Sequence, residues 1–331
     1  MSKKILITGA NGFLGSAITR KALEKKYKVK VLIRETSDIS NLENLNVEIF
    51  RGDLRRKDTI IDAFKDCNIF FHVAADYRLW ARKTSEIYES NVLGTQNVIE
   101  IIKGIPKHKL VYTSSVATLG IETIGESDEK TPVKFEQMVG DYKKSKFLAE
   151  NIVMDYIKNK NLKCTIVNPS TPIGPRDIKP TPTGKIVLQM LKKKMPAYVE
   201  TGLNFVHVDD VAEGHFQALE KGKNGEKYIL GGENMSFKDF LDLIAEQADV
   251  PKVNIKIPSK PLYPFALLNE ILAFFMKNYE PMLTVNGLRM SEKKMYFSSE
   301  KAKKELGYRP RNIKNAIKDC VIWMNEKFNI N

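Results

Sequence analysis

Short apolar runs separated by helical patterns set the frame of this chain. Ile5 to Ile7, Val29 to Ile33, Val47 to Phe50, Ile69 to Val73 and Lys109 to Thr113 have strand length and read as buried strands. Apolar positions at helical spacing lie between them, beginning with Ser16 to Glu24. This alternation predicts an α/β fold with a doubly wound parallel sheet. Further on, Ser236 to Ala248 is an amphipathic helix pattern in a smaller second α/β lobe. Leu262 to Met276 is the most apolar segment, interrupted by Asn269 and Glu270. It is expected to form a helix packed on the core, with contact to a membrane surface as the lesser alternative. Thr171 to Gly184, rich in proline and threonine, is expected as an ordered loop or hinge.

In a doubly wound sheet, ligands bind beyond the carboxyl ends of the strands, so the residues after each strand are the candidates. After the first comes Thr8-Gly9-Ala10-Asn11-Gly12-Phe13-Leu14-Gly15. Gly9 allows the chain to reverse, Gly12 allows backbone to approach a pyrophosphate, and Gly15 allows the helix to pack closely on the strand. A dinucleotide phosphate can then sit on the helix N-terminus. Arg34 ends the second strand, where an NAD site usually presents an acidic residue to the ribose 2′-hydroxyl. An arginine suits a 2′-phosphate, so NADP(H) is favoured over NAD(H). Asp53 and Leu54 are placed to meet the adenine, and Ala74 and Ala75 are small enough for a cofactor to pass. Asp76, Tyr77, Arg78 and Trp80 follow as candidates to border the substrate.

The fifth strand runs into Ser114 and Ser115, and 27 residues after Ser115 comes Tyr142, with Lys146 four positions on. An i, i+4 pair shares a helix face, and a lysine ammonium near the phenol is expected to lower its pKa. Tyr156 and Lys160 repeat the spacing. A helix returning from the carboxyl edge of the sheet carries Tyr156 roughly 21 Å further from the cofactor, which makes it structural.

The net charge of +13 could indicate nucleic acid, yet the lysines are scattered along helical stretches such as Lys25, Lys26, Lys143, Lys144 and Lys192 to Lys194. They read as solvated helix faces, and no nucleic-acid motif stands out. Cys67, Cys164 and Cys320 lack paired spacing, which argues against a zinc site or disulfide framework and for a reducing compartment, by default the cytoplasm. No metal site is expected. Lys3 and Lys4 before an apolar run imitate a signal peptide, but the glycines interrupt it, and no stretch is long enough to span a bilayer.

The glycine turn, Ser115, Tyr142, Lys146 and Asn168-Pro169 together resemble the cofactor turn, catalytic triad and nicotinamide-side turn of the extended short-chain dehydrogenase/reductase superfamily. Phe205 to Val211 and Glu305 to Tyr308 resemble its markers in the substrate lobe. The runs YTSSVATLG, YKKSKFLAE, NPSTPIGPRDIKPTPTGK and MPAYVETGLNFVHVDDVAEGH are similar to those of the hopanoid-associated sugar epimerases, themselves similar to dihydroflavonol 4-reductases. The resemblance implies a Rossmann-type NAD(P)-binding domain over 1–168, and a mainly substrate-binding lobe over 169–331 from which some segments return to the first domain. It implies that Tyr142 exchanges a proton with the substrate oxygen, Ser115 bonds that oxygen, with Ser114 as runner-up, and Lys146 holds the nicotinamide ribose. Pro169 and Thr171 would also lie on the cofactor, and a homodimer is the family's expectation. His72 and His207 read as structural, and His215 as a helix residue without an evident chemical partner.

Three activities fit: NADPH-dependent reduction of a small-molecule ketone or aldehyde, epimerisation of a sugar with tightly held NAD(P), and cofactor sensing without turnover. The complete triad argues against the third. Leu203 stands where sugar-nucleotide epimerases commonly carry an arginine, which weighs against a nucleotide-linked sugar. Arg176, Arg289, Arg309 or Arg311 could substitute.

Overall fold

The computed structural model describes residues 3–276, 279–281 and 283–330. Its strands are β1 (Lys4–Thr8), β2 (Lys28–Ile33), β3 (Val47–Arg51), β4 (Ile69–His72), β5 (Lys109–Thr113), β6 (Cys164–Pro169), β7 (Thr171–Ile173), β8 (Gly202–His207), β9 (Lys227–Leu230) and β10 (Glu233–Ser236). The helices of the first half are α1 (Phe13–Glu24), α2 (Ser85–Tyr88), α3 (Gly94–Ile102), α4 (Gly140–Asn159) and α5 (Pro182–Leu191). Those of the second half are α6 (Val208–Lys221), α7 (Phe237–Ala248), α8 (Tyr263–Phe275), α9 (Val285–Ser291), α10 (Glu300–Leu306) and α11 (Ile313–Phe328).

Seven strands form a parallel sheet in the order β3-β2-β1-β4-β5-β6-β9. The side-chain period of two sends Ile5 and Ile7 to one face and Leu6 to the other. Ile5 and Ile7 join Ile18 of α1 and Phe216 of α6. Leu6 joins Val98 of α3 and Val153 of α4. A sheet covered on both faces explains why its strands read as continuous apolar runs. β3 departs from the expected buried strand: it pairs only with β2, and its Ile49 is 41% exposed. As the last strand of the row, it has no neighbour to cover that side.

Three strands make a smaller mixed sheet, in which β8 runs parallel to β7 and antiparallel to β10. The proline-rich segment expected as a loop therefore begins as a strand, β7, and ends in the first turn of α5. Phe205 of β8 stacks on Phe240 of α7, with ring centroids 4.1 Å apart, in the core of this lobe. The expectation for Leu262 to Met276 is half met. It forms α8, but only Ala266 and Ala273 of that helix are buried, so it does not pack its apolar residues on the core.

Two buried histidines tie strand ends to helices. His72 of β4 lies between the hydroxyls of Thr8 (2.7 Å) and Thr95 (3.0 Å). His215 of α6 donates from Nδ1 to the Val211 carbonyl (2.7 Å), leaving Nε2 to accept from Thr113 (2.9 Å). His215 thus has the partner that was not evident in the sequence, and the partner is structural. Burial lowers the pKa of His72 to about 3 and that of His215 to about 4. Both rings bind fewer protons folded than unfolded, so their stabilisation is complete above the ordinary value near 6.5 and is lost as pH falls below it. Urea unfolding from about pH 7.5 to about 5 is expected to show stability falling by up to ~1.4 kcal/mol per pH unit for each ring. His72→Gln should remove one such contribution to the slope. An unchanged slope in that variant would contradict the assignment.

Candidate active site

The strand order reverses between β1 and β4, and their carboxyl ends open the crevice where ligands bind in such sheets. The glycine turn occupies that point. Gly9 has a left-handed φ of +70°, and a Cβ there would stand 2.6 Å from the Ala74 Cα just beyond β4. A Cβ on Gly15 would run into the Gly9 carbonyl oxygen. Helix α1 starts at Phe13, one turn earlier than its apolar pattern suggests, with Gly12 as an uncapped N-cap and no acidic residue in its first turn. Positive dipole and free N–H groups at the crevice fit a dinucleotide phosphate. Asn11 donates to the Asp38 carbonyl (3.2 Å), which fastens the turn to the segment after β2.

Around the turn, Arg34 is exposed at the end of β2, and its charge helps to hold the Asp53 carboxyl below its usual range. The larger cause is Arg55, which grips both Asp53 oxygens at 2.6 to 3.1 Å. Asp53 is therefore engaged by a neighbour that sequence reasoning did not single out. Leu54 accepts from Asn97 through its carbonyl (2.8 Å). Ala75 is exposed beside Ala74. The Asp76 carboxylate, a candidate for substrate, is likewise taken by Arg78 at 2.6 to 3.0 Å. Asn91 clamps the Asp76 backbone and also donates to Ser145 of α4. Tyr77 reaches the Lys179 carbonyl (3.3 Å), and Trp80 is half-buried on the same loop. Pro169 ends β6 and Thr171 opens β7.

Tyr142 stands in the first turn of α4 and Tyr156 in its last. Tyr156 is buried in the core and donates to Glu100 (3.1 Å), as a structural residue should. Tyr142 is half-buried, with its phenol near the Ser115 hydroxyl. The Ser114 hydroxyl is buried with no partner, whereas the Ser115 hydroxyl accepts from the Ala117 amide (3.1 Å) and lies near Tyr142. The Tyr142 pKa is raised, contrary to expectation: burial disfavours the phenolate, and Ser115 offsets only part of that. Lys146 does not supply the expected depression because its ammonium is turned to the Thr113 carbonyl (2.8 Å) and Tyr112 hydroxyl (3.2 Å). Burial lowers the pKa of Lys146 to about 8.

One turn beyond Lys146, buried Glu150 pairs with Lys227 of β9 and accepts from Asn168 Nδ2 (3.0 Å). Asn168 Nδ2 also lies 3.0 Å from the Ser115 carbonyl oxygen. Asn168, expected in the nicotinamide-side turn, sits inside β6. Glu150 thereby supports the serine segment, and its place four residues after Lys146 was the available sequence signal.

A phenol, a hydroxyl and an ammonium beside a dinucleotide turn define an extended short-chain dehydrogenase/reductase. Residues 5–231 match the model of the NAD dependent epimerase/dehydratase family, and the chain belongs to that family of NAD-dependent enzymes. It is 40% identical over 98% of its length to 95% of a Synechocystis sp. protein named "Putative dihydroflavonol 4-reductase". It is 30% identical over 97% of its length to 98% of sterol demethylase protein B of Methylococcus capsulatus. The crystal structure of gox2253 superposes with a TM-score of 0.89 over all of both chains, at 48% identity.

Gly15→Ala should destabilise the fold by about 1–3 kcal/mol, because α1 must shift off the Gly9 carbonyl. Gly104→Ala is the control, since its Cβ would meet only the Ile101 oxygen at 3.5 Å. Equal thermal midpoints for the two variants would refute the close-approach account.

Proposed function

We propose that the protein reduces a small-molecule ketone or aldehyde with NADPH. The observation that carries this reading is the placement of Tyr142 and Lys146 four residues apart on α4, beside the Ser115 segment that follows β5, with a phenol that holds its proton at neutral pH ready to give. Bound nicotinamide supplies the hydride. Tyr142 gives its proton to the substrate oxygen as Ser115 donates a hydrogen bond to the same atom and stabilises its developing charge. Lys146 holds the cofactor ribose. Gly9, Gly12 and the first turn of α1 bind the pyrophosphate, and Arg34 the 2′-phosphate. Tyr77 and Trp80 border the substrate.

Two further points support a reductase over a nucleotide-sugar epimerase. Leu203 packs with the apolar core of the smaller lobe, and two of the candidate replacement arginines are committed elsewhere: Arg176 to Asp209, and Arg311 to Asp210 at 2.9 Å. The first relative is also named as a reductase.

Titration with NADPH and NADH, followed by cofactor fluorescence, should show NADPH preferred and the preference reversed in Arg34→Asp. Dinucleotide that stays bound through purification, with no such preference, would favour epimerisation. In a carbonyl-reduction assay, Tyr142→Phe should lower kcat by ~10²–10⁴-fold while cofactor affinity holds. Because the Lys146 ammonium loses its proton as pH rises through about 8, kcat should fall above that value. Lys146→Met should abolish that limb of the profile; a limb that survives belongs to another group.

A further inference from the structure

Helix α8 is oriented opposite to an ordinary surface helix. Its polar residues face inward: Glu270 accepts from the Val285 amide (2.8 Å), and Asn269 from the Tyr279 hydroxyl (2.5 Å). The apolar residues face out. Phe265 is 62% exposed and Phe275 78%, with Leu268, Ile271, Leu272 and Met276 exposed between and beside them. At 100° per residue these positions form one continuous face without a charge on it. A contiguous apolar surface of this kind marks an interaction site.

The charges flanking the helix identify the partner. Exposed Lys252 and Lys260 lie on the segment entering α8, Arg289 on α9 packed against it, and Lys293 and Lys294 just beyond. Of the acids of the same region, Glu270 is turned inward and Glu280 pairs with Lys185, while exposed Asp249 and Glu292, the latter accepting from the Tyr263 hydroxyl (2.8 Å), keep their charge and leave the cations in excess. We propose that α8 docks on an anionic lipid surface, its apolar face in the acyl boundary and the flanking cations at the headgroups. A second copy of the chain would set these cations against themselves in a symmetric interface. The helix is about 20 Å long, and no helix among the described residues is long and apolar enough to cross a membrane. Arg82 bonds the Ala273 carbonyl at 3.0 and 3.1 Å, joining α8 to the loop after β4 that carries Tyr77 and Trp80. Docking therefore brings the mouth of the candidate site to the lipid.

The test is sedimentation of the full chain with vesicles of equal parts phosphatidylglycerol and phosphatidylcholine, against phosphatidylcholine alone. Wild-type protein should partition to the anionic vesicles, less so as salt is raised. The double variant Leu268→Ser, Phe275→Ser should partition ~tenfold less, with dinucleotide binding and thermal midpoint showing that it remains folded. Partition unaffected by the double variant overturns the proposal. So does failure to partition, whether the protein is a monomer or a dimer that the same variant dissociates, the dimer assigning α8 to a second copy. Cofactor preference and turnover play no part in these readouts, so the docking proposal and the reductase reading fail separately.

Discussion

The structure depends on the close approach of three backbone segments where the strand order reverses. The turn after β1 must bend back under α1 and lie against the exit of β4, and no side chain can stand between them. Gly15 lets α1 rest on the Gly9 carbonyl, and Gly9 lets the turn lie against Ala74. The same contact leaves the start of α1 with bare N–H groups facing the crevice. One steric requirement thus fixes both the seating of the first helix and the direction in which its bare N–H groups point.

Burial then shapes the chemistry on α4. Tyr142, Lys146 and Glu150 lie on one helical face, each facing a different solvation problem. The phenol responds by keeping its proton and the ammonium by losing its charge more readily, while the carboxylate is paired with Lys227. A phenol in solution beside a lysine would be expected to ionise more easily. Here the cost of placing a phenolate in the interior outweighs the nearby cation, whose hydrogen bonds go to Thr113 and Tyr112.

The smaller lobe shows how composition can mislead. An apolar segment broken by Asn269 and Glu270 reads as a buried helix, since burial is the usual fate of such residues. In α8 the two polar side chains instead anchor the helix through Tyr279 and the Val285 amide, and the apolar ones are left facing out. The proline-rich run before α5 similarly gave its first three residues to a strand, because β8 offered a parallel partner.

The sequence by itself determined five of the seven strands of the doubly wound sheet, the glycine turn and the shared face of Tyr142 and Lys146. Each of these follows from local period, from backbone sterics, or from helical spacing. It also separated Tyr142 from Tyr156, because distance along a helix is fixed per residue. Tertiary structure alone decided that Arg55 and Arg78 occupy Asp53 and Asp76, that His215 meets Thr113, and that Glu150 of α4 reaches Asn168 of β6. It also decided which side of α8 faces out. Sequence spacing gives the face on which a residue lies, but charge pairing and burial depend on what the fold brings against that face.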